Sequence, residues 1–207
     1  MGLNDRYYGY NQVNKNITSD IHVDDILNRM PPERIWFGTD YHFYKWDDEK
    51  KKIYKNPDYD KIIDNFKIIG KDDVFIFLGD LIDDECQNYA EIKAELIDIF
   101  PGHYKIFILG NNDLQPESYY YDLGFDEVFY AYQWYKFTFS HLPLAKFDTT
   151  YNIHGHMHEW WDYNYEGITY NNHIKLYTKD FNNKPINLRQ VVDLWNKGYF
   201  LDHVNKK

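Results

Sequence analysis

The stretch Val74-Phe-Ile-Phe-Leu-Gly-Asp80 is a continuous apolar run that ends in glycine and aspartate. Similar runs occupy Arg34–Asp40 and Lys105–Gly110, and each is rich in β-branched or aromatic residues. Alternation of apolar and polar residues indicates a strand with one wet face, whereas unbroken apolar runs are typical of strands buried on both faces. The three runs therefore predict three central strands of a sheet that is covered on both sides.

Helical patterns lie between these runs, at 58–69 and 89–100, where apolar residues stand three and four positions apart. Alternating strands and helices indicate an α/β sheet, and such sheets bind ligands beyond the carboxyl ends of their strands. Asp40, Asp80 and Asn111 each stand at such a strand end. Their positions predict a functional site at this edge of the sheet.

The rest of the chain predicts shorter elements. Strands are expected at 127–132, 135–139, 151–154 and within 168–177, and a last helix at 187–197. Residues 1–32 are polar and close with two prolines, which indicates an N-terminal extension with a short helix at 24–29. Residues 33–207 are then expected to form one domain, because no repeat or low-complexity linker interrupts them.

The net charge of the chain indicates which kinds of molecule it can bind. The 207 residues carry a formal net charge of −10, and the basic run Lys50–Lys52 lies beside Asp47, Asp48 and Glu49. Proteins that grip long nucleic acid normally present a basic face, because phosphate neutralisation supplies most of the non-specific affinity. The sequence therefore gives no strong sign of nucleic-acid binding and favours a small phosphorylated substrate.

Cysteine content and hydropathy bear on the compartment. Cys86 is the only cysteine, which excludes an intrachain disulfide. The amino terminus lacks the apolar stretch of a secretory signal, and no segment approaches the roughly 20 apolar residues of a membrane span. We expect a cytoplasmic protein without a membrane partner, and these features leave the oligomeric state open.

Five short motifs carry the groups that could do chemistry. They are Asp40-Tyr-His42, Gly79-Asp80-Leu-Ile-Asp83, Gly110-Asn111-Asn112-Asp113, Ser140-His141 and His154-Gly-His156-Met-His158. Each is weak alone, because similar steps occur in ordinary turns. Together they offer carboxylate, imidazole and amide oxygen, which suits borderline divalent metals. Two cations about 3.5–4 Å apart need a carboxylate that joins them, and Asp80 is positioned to do so.

The ordered set D-x-H, G-D-x-x-D, G-N-x-D, S-H-x-P-L and G-H-x-H resembles the calcineurin-like metallophosphoesterase family, in particular its small prokaryotic or viral-type members. The resemblance extends from the first strand to the G-H-x-H loop. It implies the metallo-dependent phosphatase fold, a four-layer α/β/β/α sandwich of two mixed β-sheets flanked by helices. It also implies hydrolysis of a phosphate ester through attack by a hydroxide that bridges two metal ions.

The resemblance further implies the ligands of two divalent ions. By this correspondence Asp40, His42 and His158 hold the first ion, Asp80 bridges, and Asn111, His141 and His156 complete the second. Manganese is the preferred metal in this interpretation, with iron, nickel, zinc or cobalt as alternatives.

One position departs from the family pattern. Many members carry a histidine after the asparagine of the third motif, where it can protonate the leaving group, and here that position is Asn112. An amide can donate a hydrogen bond to a phosphoryl oxygen but cannot act as a general acid near neutral pH. Asn112, Asp113 and His154 are the candidate catalytic residues, and Asn112 and His154 the candidate substrate contacts.

These assignments have alternatives. Asn112 would instead be an ordinary turn residue, Asp113 would hold a loop, and His154 would support a metal ligand or simply pack in its strand. Asp83 is expected to support a ligand or cap a helix.

We favour a phosphoesterase that acts on a small phosphodiester or a nucleotide. The first alternative is a nuclease acting on DNA or RNA ends, against which the net charge stands. The second is a metal-binding scaffold with impaired catalysis, for which Asn112 is the only argument.

Overall fold

The computed structural model describes residues 17–86, 89–158 and 172–200. In chain order its strands are β1 (Ile17–Thr18), β2 (Ile35–Gly38), β3 (Tyr44–Asp47), β4 (Lys52–Lys55), β5 (Val74–Phe77), β6 (Tyr104–Ile108), β7 (Glu127–Phe129), β8 (Ala131–Trp134), β9 (Phe137–Ser140), β10 (Tyr151–His154), β11 (His173–Lys175) and β12 (Ile186–Asn187). Its α-helices are α1 (Ile21–Arg29), α2 (Tyr59–Asn65), α3 (Tyr89–Leu96), α4 (Glu117–Asp122) and α5 (Leu188–Asn196). Residues 1–16 of the predicted extension and 168–171 of a predicted strand lie outside the described residues.

Sheet I contains the three predicted central strands. Its order is β12-β2-β5-β6-β7, in which β2, β5, β6 and β7 run parallel and β12 is antiparallel to β2. The helices predicted at 58–69 and 89–100 are present as α2, which continues into a 3-10 turn at Phe66–Ile68, and as α3. Strand–helix alternation thus produces four parallel strands in an α/β sheet, and the sequence pattern indicated an α/β sheet.

Sheet II has the order β1-β8-β9-β10-β11 and is also mixed, since β8 and β9 are antiparallel and the other neighbours are parallel. The single strand predicted at 127–132 is wrong. Residues 127–129 belong to sheet I as β7, and residues 131–134 belong to sheet II as β8. The chain crosses between the sheets at Tyr130, and continuous β-propensity cannot reveal such a crossing because both halves are strands.

The two faces of sheet I bury different residues. Ile76 lies in a core cluster that includes Phe139 and Ile153 of sheet II. Phe75 and Phe77, its neighbours on β5, lie in a second cluster with side chains of α2, α3 and α4. Each large apolar side chain buried in this way stabilises the fold by about 1.5–3 kcal/mol. Two mixed sheets packed together with helices confirm the predicted metallophosphatase fold.

The described part of the predicted extension packs against this core. Helix α1 begins at Ile21, three residues earlier than predicted, because the Asp20 carboxylate accepts hydrogen bonds from the backbone N–H groups of His22 and Val23. Val23 and Leu27 of α1 are buried in the cluster shared by the two sheets. The domain boundary at residues 32 and 33 stays a prediction.

Among the described residues, no helix combines the length and the apolar character needed to cross a membrane.

Candidate metal centre

The candidate ligands follow strand ends of both sheets. Asp40 comes after β2 and Asp80 after β5 in sheet I, while His141 comes after β9 and His156 after β10 in sheet II. Parallel strands present their carboxyl ends at one edge, so residues far apart in sequence meet there. The site is therefore built between the ends of the two sheets.

The first group consists of Asp40, His42 and His158, whose potential ligand atoms all lie within 4.8 Å of one another. His158 Nε2 is 3.2 Å from Asp40 Oδ1. The Asp40 side chain is buried, and both of its oxygens accept the backbone N–H of His156 at 3.1 Å. This contact ties the G-H-x-H loop of sheet II to the first motif of sheet I.

The second group consists of Asp80, His141 and His156, again with ligand atoms within 4.8 Å of one another. His141 Nε2 lies 3.3 Å from Asp80 Oδ1 and 3.1 Å from Asn111 Oδ1. The other oxygen of Asp80, Oδ2, lies 3.6 Å from Nε2 of His42 in the first group. Asp80 thus stands between the groups with one oxygen toward each.

Two histidines are held so that Nε2 points inward. The Nδ1–H of His42 donates to Asp83 Oδ1 at 2.6 Å, and that of His141 donates to the Leu78 carbonyl oxygen at 2.7 Å. An oxygen that can only accept fixes the proton on Nδ1 and leaves Nε2 as a lone-pair donor. His42 Nε2 is buried and has no hydrogen-bond partner among the described residues. A buried lone pair aimed at carboxylates fits a divalent cation.

The electrostatics of the centre favour positive charge. Burial alone would raise the pKa of Asp80, but His141 and His42 hold it well below the usual carboxyl range. Burial likewise opposes the charge on His141, yet the Asp80 carboxylate raises the pKa of His141 to about 10, so a cation that binds Nε2 would have to displace a proton from it. Burial and the neighbouring His141 lower the pKa of His156 to about 4, so His156 is neutral and able to coordinate.

Four of the candidate ligands adopt a left-handed backbone conformation. The φ angles are 54° at Asp40, 42° at His42, 59° at Asp80 and 66° at His156. A non-glycine residue in such a region costs on the order of 1 kcal/mol or more, and positions of this kind cluster at functional sites. The strained backbone of these loops directs the four ligand side chains toward the centre.

Two motif glycines allow the loops to approach the carboxylates. A Cβ atom on Gly155 would lie 2.1 Å from Thr39 Oγ1 and 2.7 Å from Asp40 Oδ2. A Cβ atom on Gly110 would lie 2.3 Å from Asp80 Oδ1. Both positions need glycine because a side chain would displace a candidate ligand.

The structure places Asn112 and Asp113 on the Asp80 loop. Asn112 donates twice to Asp80, from the backbone N–H to Oδ1 at 3.1 Å and from Nδ2 to Oδ2 at 2.7 Å. The Asp113 carboxylate accepts the backbone N–H groups of Asp80, Leu81 and Gly110 at 2.7–3.0 Å. This geometry favours the loop-holding alternative for Asp113. Contact of Asn112 with substrate stays a prediction.

His154 lies apart from the ligand atoms in its described contacts. It is fully buried on β10, its Nδ1 is 3.0 Å from the Gly155 carbonyl oxygen, and its ring packs edge-on against His173 with centroids 5.3 Å apart. Burial is the main cause that lowers the pKa of His154 well below its ordinary value. These contacts match the packing alternative, and a catalytic role for His154 stays a prediction.

Two residues that contact candidate ligands, Thr39 and Tyr177, were not predicted from the sequence. The Thr39 hydroxyl lies 2.5 Å from Asp40 Oδ2, as a donor to that carboxylate. Tyr177 stacks on His158, with ring centroids 4.7 Å apart and planes 9° apart. The position of Thr39 directly before the first motif is a signal for it, but no local pattern marks Tyr177. Asp83, expected to support a ligand or cap a helix, contacts His42.

Comparison of the chain with known proteins identifies the same family that the sequence motifs resemble. The sequence model of a family described as Calcineurin-like phosphoesterase matches residues 16–205, which is nearly the whole chain. A comparison with curated protein sequences found no match. Among solved structures, the chain is similar to the crystal structure of a protein of unknown function, AQ665 from Aquifex aeolicus. That similarity has 22% sequence identity and a TM-score of 0.53, covers 77% of this chain and 98% of that chain, and shows the fold alone.

Proposed function

The chain belongs to the calcineurin-like phosphoesterase family, and from that premise we propose that it hydrolyses a small phosphodiester or a nucleotide with two divalent ions, preferably manganese. Metal-dependent hydrolysis of phosphoester bonds is the general activity of the family. The two candidate groups of metal ligands suit that activity. Our proposal goes beyond this general activity in three respects: the number of ions, their identity and the substrate.

The arrangement around Asp80 is the observation that carries the proposal. Its Oδ2 faces His42 Nε2 at 3.6 Å, and its Oδ1 faces His141 Nε2 at 3.3 Å. A carboxylate that serves one ion needs no second nitrogen opposite its other oxygen. A pair of ions, by contrast, needs a shared carboxylate of this kind.

Divalent ions bound here would supply Lewis acidity and lower the pKa of a water molecule toward neutrality. The chain itself contributes position and charge. Asp40 and Asp80 are buried and form a negative centre, so a phosphate group would be repelled without compensating cations. Asn111 presents its amide oxygen beside His141, where it would complete the second set of ligands.

The net charge favours a small substrate over a long one. At −10, the chain lacks the basic balance with which proteins usually hold extended nucleic acid. A nucleotide or small diester needs attraction only at its phosphate, which the cations would provide. We therefore place a nuclease second.

The missing general acid sets a preference among leaving groups. Asn112 cannot donate a proton near neutral pH, and its amide donates to Asp80 in this structure. Loss of a general acid costs on the order of 10²–10⁴ in rate when the leaving group is a poor one. We propose that the enzyme favours substrates whose leaving groups depart without protonation.

A substrate panel tests the function. Nucleoside monophosphates, cyclic and linear dinucleotides, generic diesters and oligonucleotides would be incubated with the protein across several divalent metals. Asp80→Asn should lose nearly all turnover and bind fewer ions, whereas the matched surface variant Asp64→Asn should behave like wild type, because Asp64 is exposed and pairs with the exposed Lys67.

Each alternative has its own outcome. Cleavage of oligonucleotides in preference to small esters would favour the nuclease. Bound metal without turnover on any substrate would favour the scaffold, and absence of metal binding would contradict the proposal outright. For the leaving-group preference, a series of aryl diesters should give a rate that rises steeply as leaving-group pKa falls, and Asn112→His should flatten that slope.

A further inference from the structure

His158 is more exposed than His42 and His141, while His156 is partly buried. The His158 side chain is 41% exposed, whereas the side chains of His42 and His141 are 8% and 1% exposed. An exposed imidazole has rotamers to lose when it coordinates a metal, and that loss weakens binding. Whatever holds the His158 ring therefore influences the affinity of the first group for its ion.

Two rings contact the His158 imidazole: His42 edge-on, with centroids 5.5 Å apart, and Tyr177 face to face. His42 and His141 are oriented through hydrogen bonds on Nδ1, but the described residues offer no such partner to His158. Instead the imidazole lies flat on the phenol ring, with centroids 4.7 Å apart and planes at 9°. Offset stacking at this distance is a favoured arrangement of two rings. It restricts the imidazole to one plane.

The segment that carries Tyr177 is itself fixed to the first group. The Thr178 hydroxyl donates to the Thr39 carbonyl oxygen at 2.7 Å, next to Asp40 in the chain. The buried Lys175 ammonium lies 3.4 Å from the His158 carbonyl oxygen. The same ammonium lies 5.6 Å from the centroid of the Tyr177 ring. The chain from Lys175, the last residue of β11, to Thr178 therefore contacts the loops of both Asp40 and His158.

We propose that Tyr177 is a positioning residue that selectively strengthens binding of the ion held by Asp40, His42 and His158. The inference rests on the proposed function, because it presumes that this group binds an ion. Two effects act in the same direction. The stack orders the imidazole beforehand, and it gains strength on coordination, because a coordinated imidazole is more electron-poor and a π-face attracts positive charge.

Three substitutions distinguish the contribution of the Tyr177 aromatic face from the contributions of its volume and of its hydroxyl group. Tyr177→Phe keeps the ring, Tyr177→Leu keeps apolar volume without a π-face, and Tyr177→Ala removes both. The matched control is Tyr135→Ala, because Tyr135 is 75% exposed at the turn between β8 and β9. Circular dichroism would establish that each variant is folded.

Manganese titration of the metal-free protein provides the readout, by calorimetry and by electron paramagnetic resonance. Wild type and Tyr135→Ala should bind two ions, with the spectrum of a spin-coupled pair at saturation. Tyr177→Ala should bind one ion unchanged and the other about 10-fold more weakly, so that an uncoupled signal dominates at intermediate manganese. Tyr177→Phe should stay within about twofold of wild type, with Tyr177→Leu between them.

Several outcomes would overturn the inference. Unchanged affinities in Tyr177→Ala and Tyr177→Leu would remove the positioning role. Equal weakening of both ions would indicate a general structural effect, and a loss in Tyr177→Phe as large as in Tyr177→Ala would assign the effect to the hydroxyl. If wild type itself bound no manganese, the proposed function would fail first, and that result is distinguishable from all of these.

Discussion

Single side chains that face away from the centre control where the ligands point. The Asp83 carboxylate sits on His42 Nδ1 at 2.6 Å and also accepts the Trp46 backbone N–H at 3.2 Å. It therefore fixes the imidazole plane and links it to strand β3. A charged acceptor on a ligand imidazole also makes the opposite nitrogen a better electron donor.

Removal of this support should weaken metal binding. We expect Asp83→Ala to lower the manganese affinity of the first group by about 10–100-fold, because His42 loses its orientation and some basicity. Asp83→Asn keeps an oxygen acceptor and should lose less. Calorimetric titration of metal-free protein measures both, with Asp64→Ala as a surface control. Equal affinities in wild type and Asp83→Ala would contradict the role given to Asp83.

At the residue scale, local sequence signals could predict which side chains lie near one another, whereas contacts between distant segments could not be predicted. The seven ligand candidates lie in short motifs, three of which follow predicted strands directly, and the resemblance to a known family implied that all seven converge. The stack of Tyr177 on His158 joins two residues that no motif relates. Asn112 was expected to face the substrate, but its contact with Asp80 depends on how two loops meet.

At the scale of elements, the loop after β6 is pressed against the loop after β5. A methyl group on Gly110 would lie 2.3 Å from Asp80 Oδ1 and 2.6 Å from the Asp80 backbone nitrogen. The second atom belongs to the backbone, so a rotamer change cannot relieve the clash. The two loops would have to separate.

Gly110→Ala should therefore damage both stability and metal binding. We expect a loss of about 1–3 kcal/mol in the free energy of unfolding, as for an overpacked core site, together with weaker manganese binding. Gly70→Ala is the control, because the nearest neighbour of the added methyl group would be a side-chain oxygen of Asp73 at 3.1 Å, not a backbone atom. Urea unfolding and titration give the two values. A Gly110→Ala protein that unfolds and binds metal like Gly70→Ala would refute the clash.

Strands β10 and β11 carry a pair of buried histidines, His154 and His173. Burial lowers the pKa of His173 to about 4, against about 6.5 for an exposed imidazole. Between these values the unfolded chain binds a proton that the folded chain does not. The free energy of unfolding must therefore fall as the pH drops from about 6.5 toward 4.

A direct comparison isolates this effect. At pH 5 the contribution of His173 should be about 2 kcal/mol smaller than at pH 7, from 1.4 kcal/mol for each pH unit below 6.5. Urea unfolding of chelator-treated wild type and His173→Gln at both pH values measures it. The wild type should lose about 2 kcal/mol more than the variant, and parallel losses in the two proteins would show that His173 titrates normally.

Element types were predictable because buried strands and amphipathic helices differ in period. The boundaries were less so, since Asp20 starts α1 three residues early through side-chain hydrogen bonds. Membership of a sheet could not be predicted from 127–132, because β7 and β8 have the same local character and only packing separates them at Tyr130. The polar composition of residues 17–29 likewise concealed that α1 turns Val23 and Leu27 into the core.

For the whole molecule, the candidate centre joins the two sheets. Asp40 and His42 follow a strand of sheet I while His158 follows a strand of sheet II, and the second group divides in the same way between Asp80 and its two histidines. An ion in either group would link the sheets directly. Ligands that bind only the folded state stabilise it by mass action.

Metal should therefore raise the melting temperature. At manganese 100-fold above the dissociation constant, one site adds about 2.7 kcal/mol, which for a chain of this length is about 5–10 °C. Thermal scans with manganese and with a chelator measure the shift, and Asp80→Asn should abolish most of it. Identical melting temperatures with metal and with chelator would contradict a link between the sheets.

The pairing of β1 with β8 has a consequence for biosynthesis. Thr18 contacts Ala131, which lies 113 residues further along the chain. At about 5–20 residues per second, a ribosome needs roughly 6–20 s to make the partner of this strand. During this time the consecutive strands of sheet I can pair with one another. The backbone of β1 has no partner strand until β8 is made. We expect newly made chains to need a chaperone that keeps β1 unaggregated during this interval. Ribosome-bound chains that end before residue 131 should therefore bind more chaperone than ribosome-bound chains that extend past residue 158.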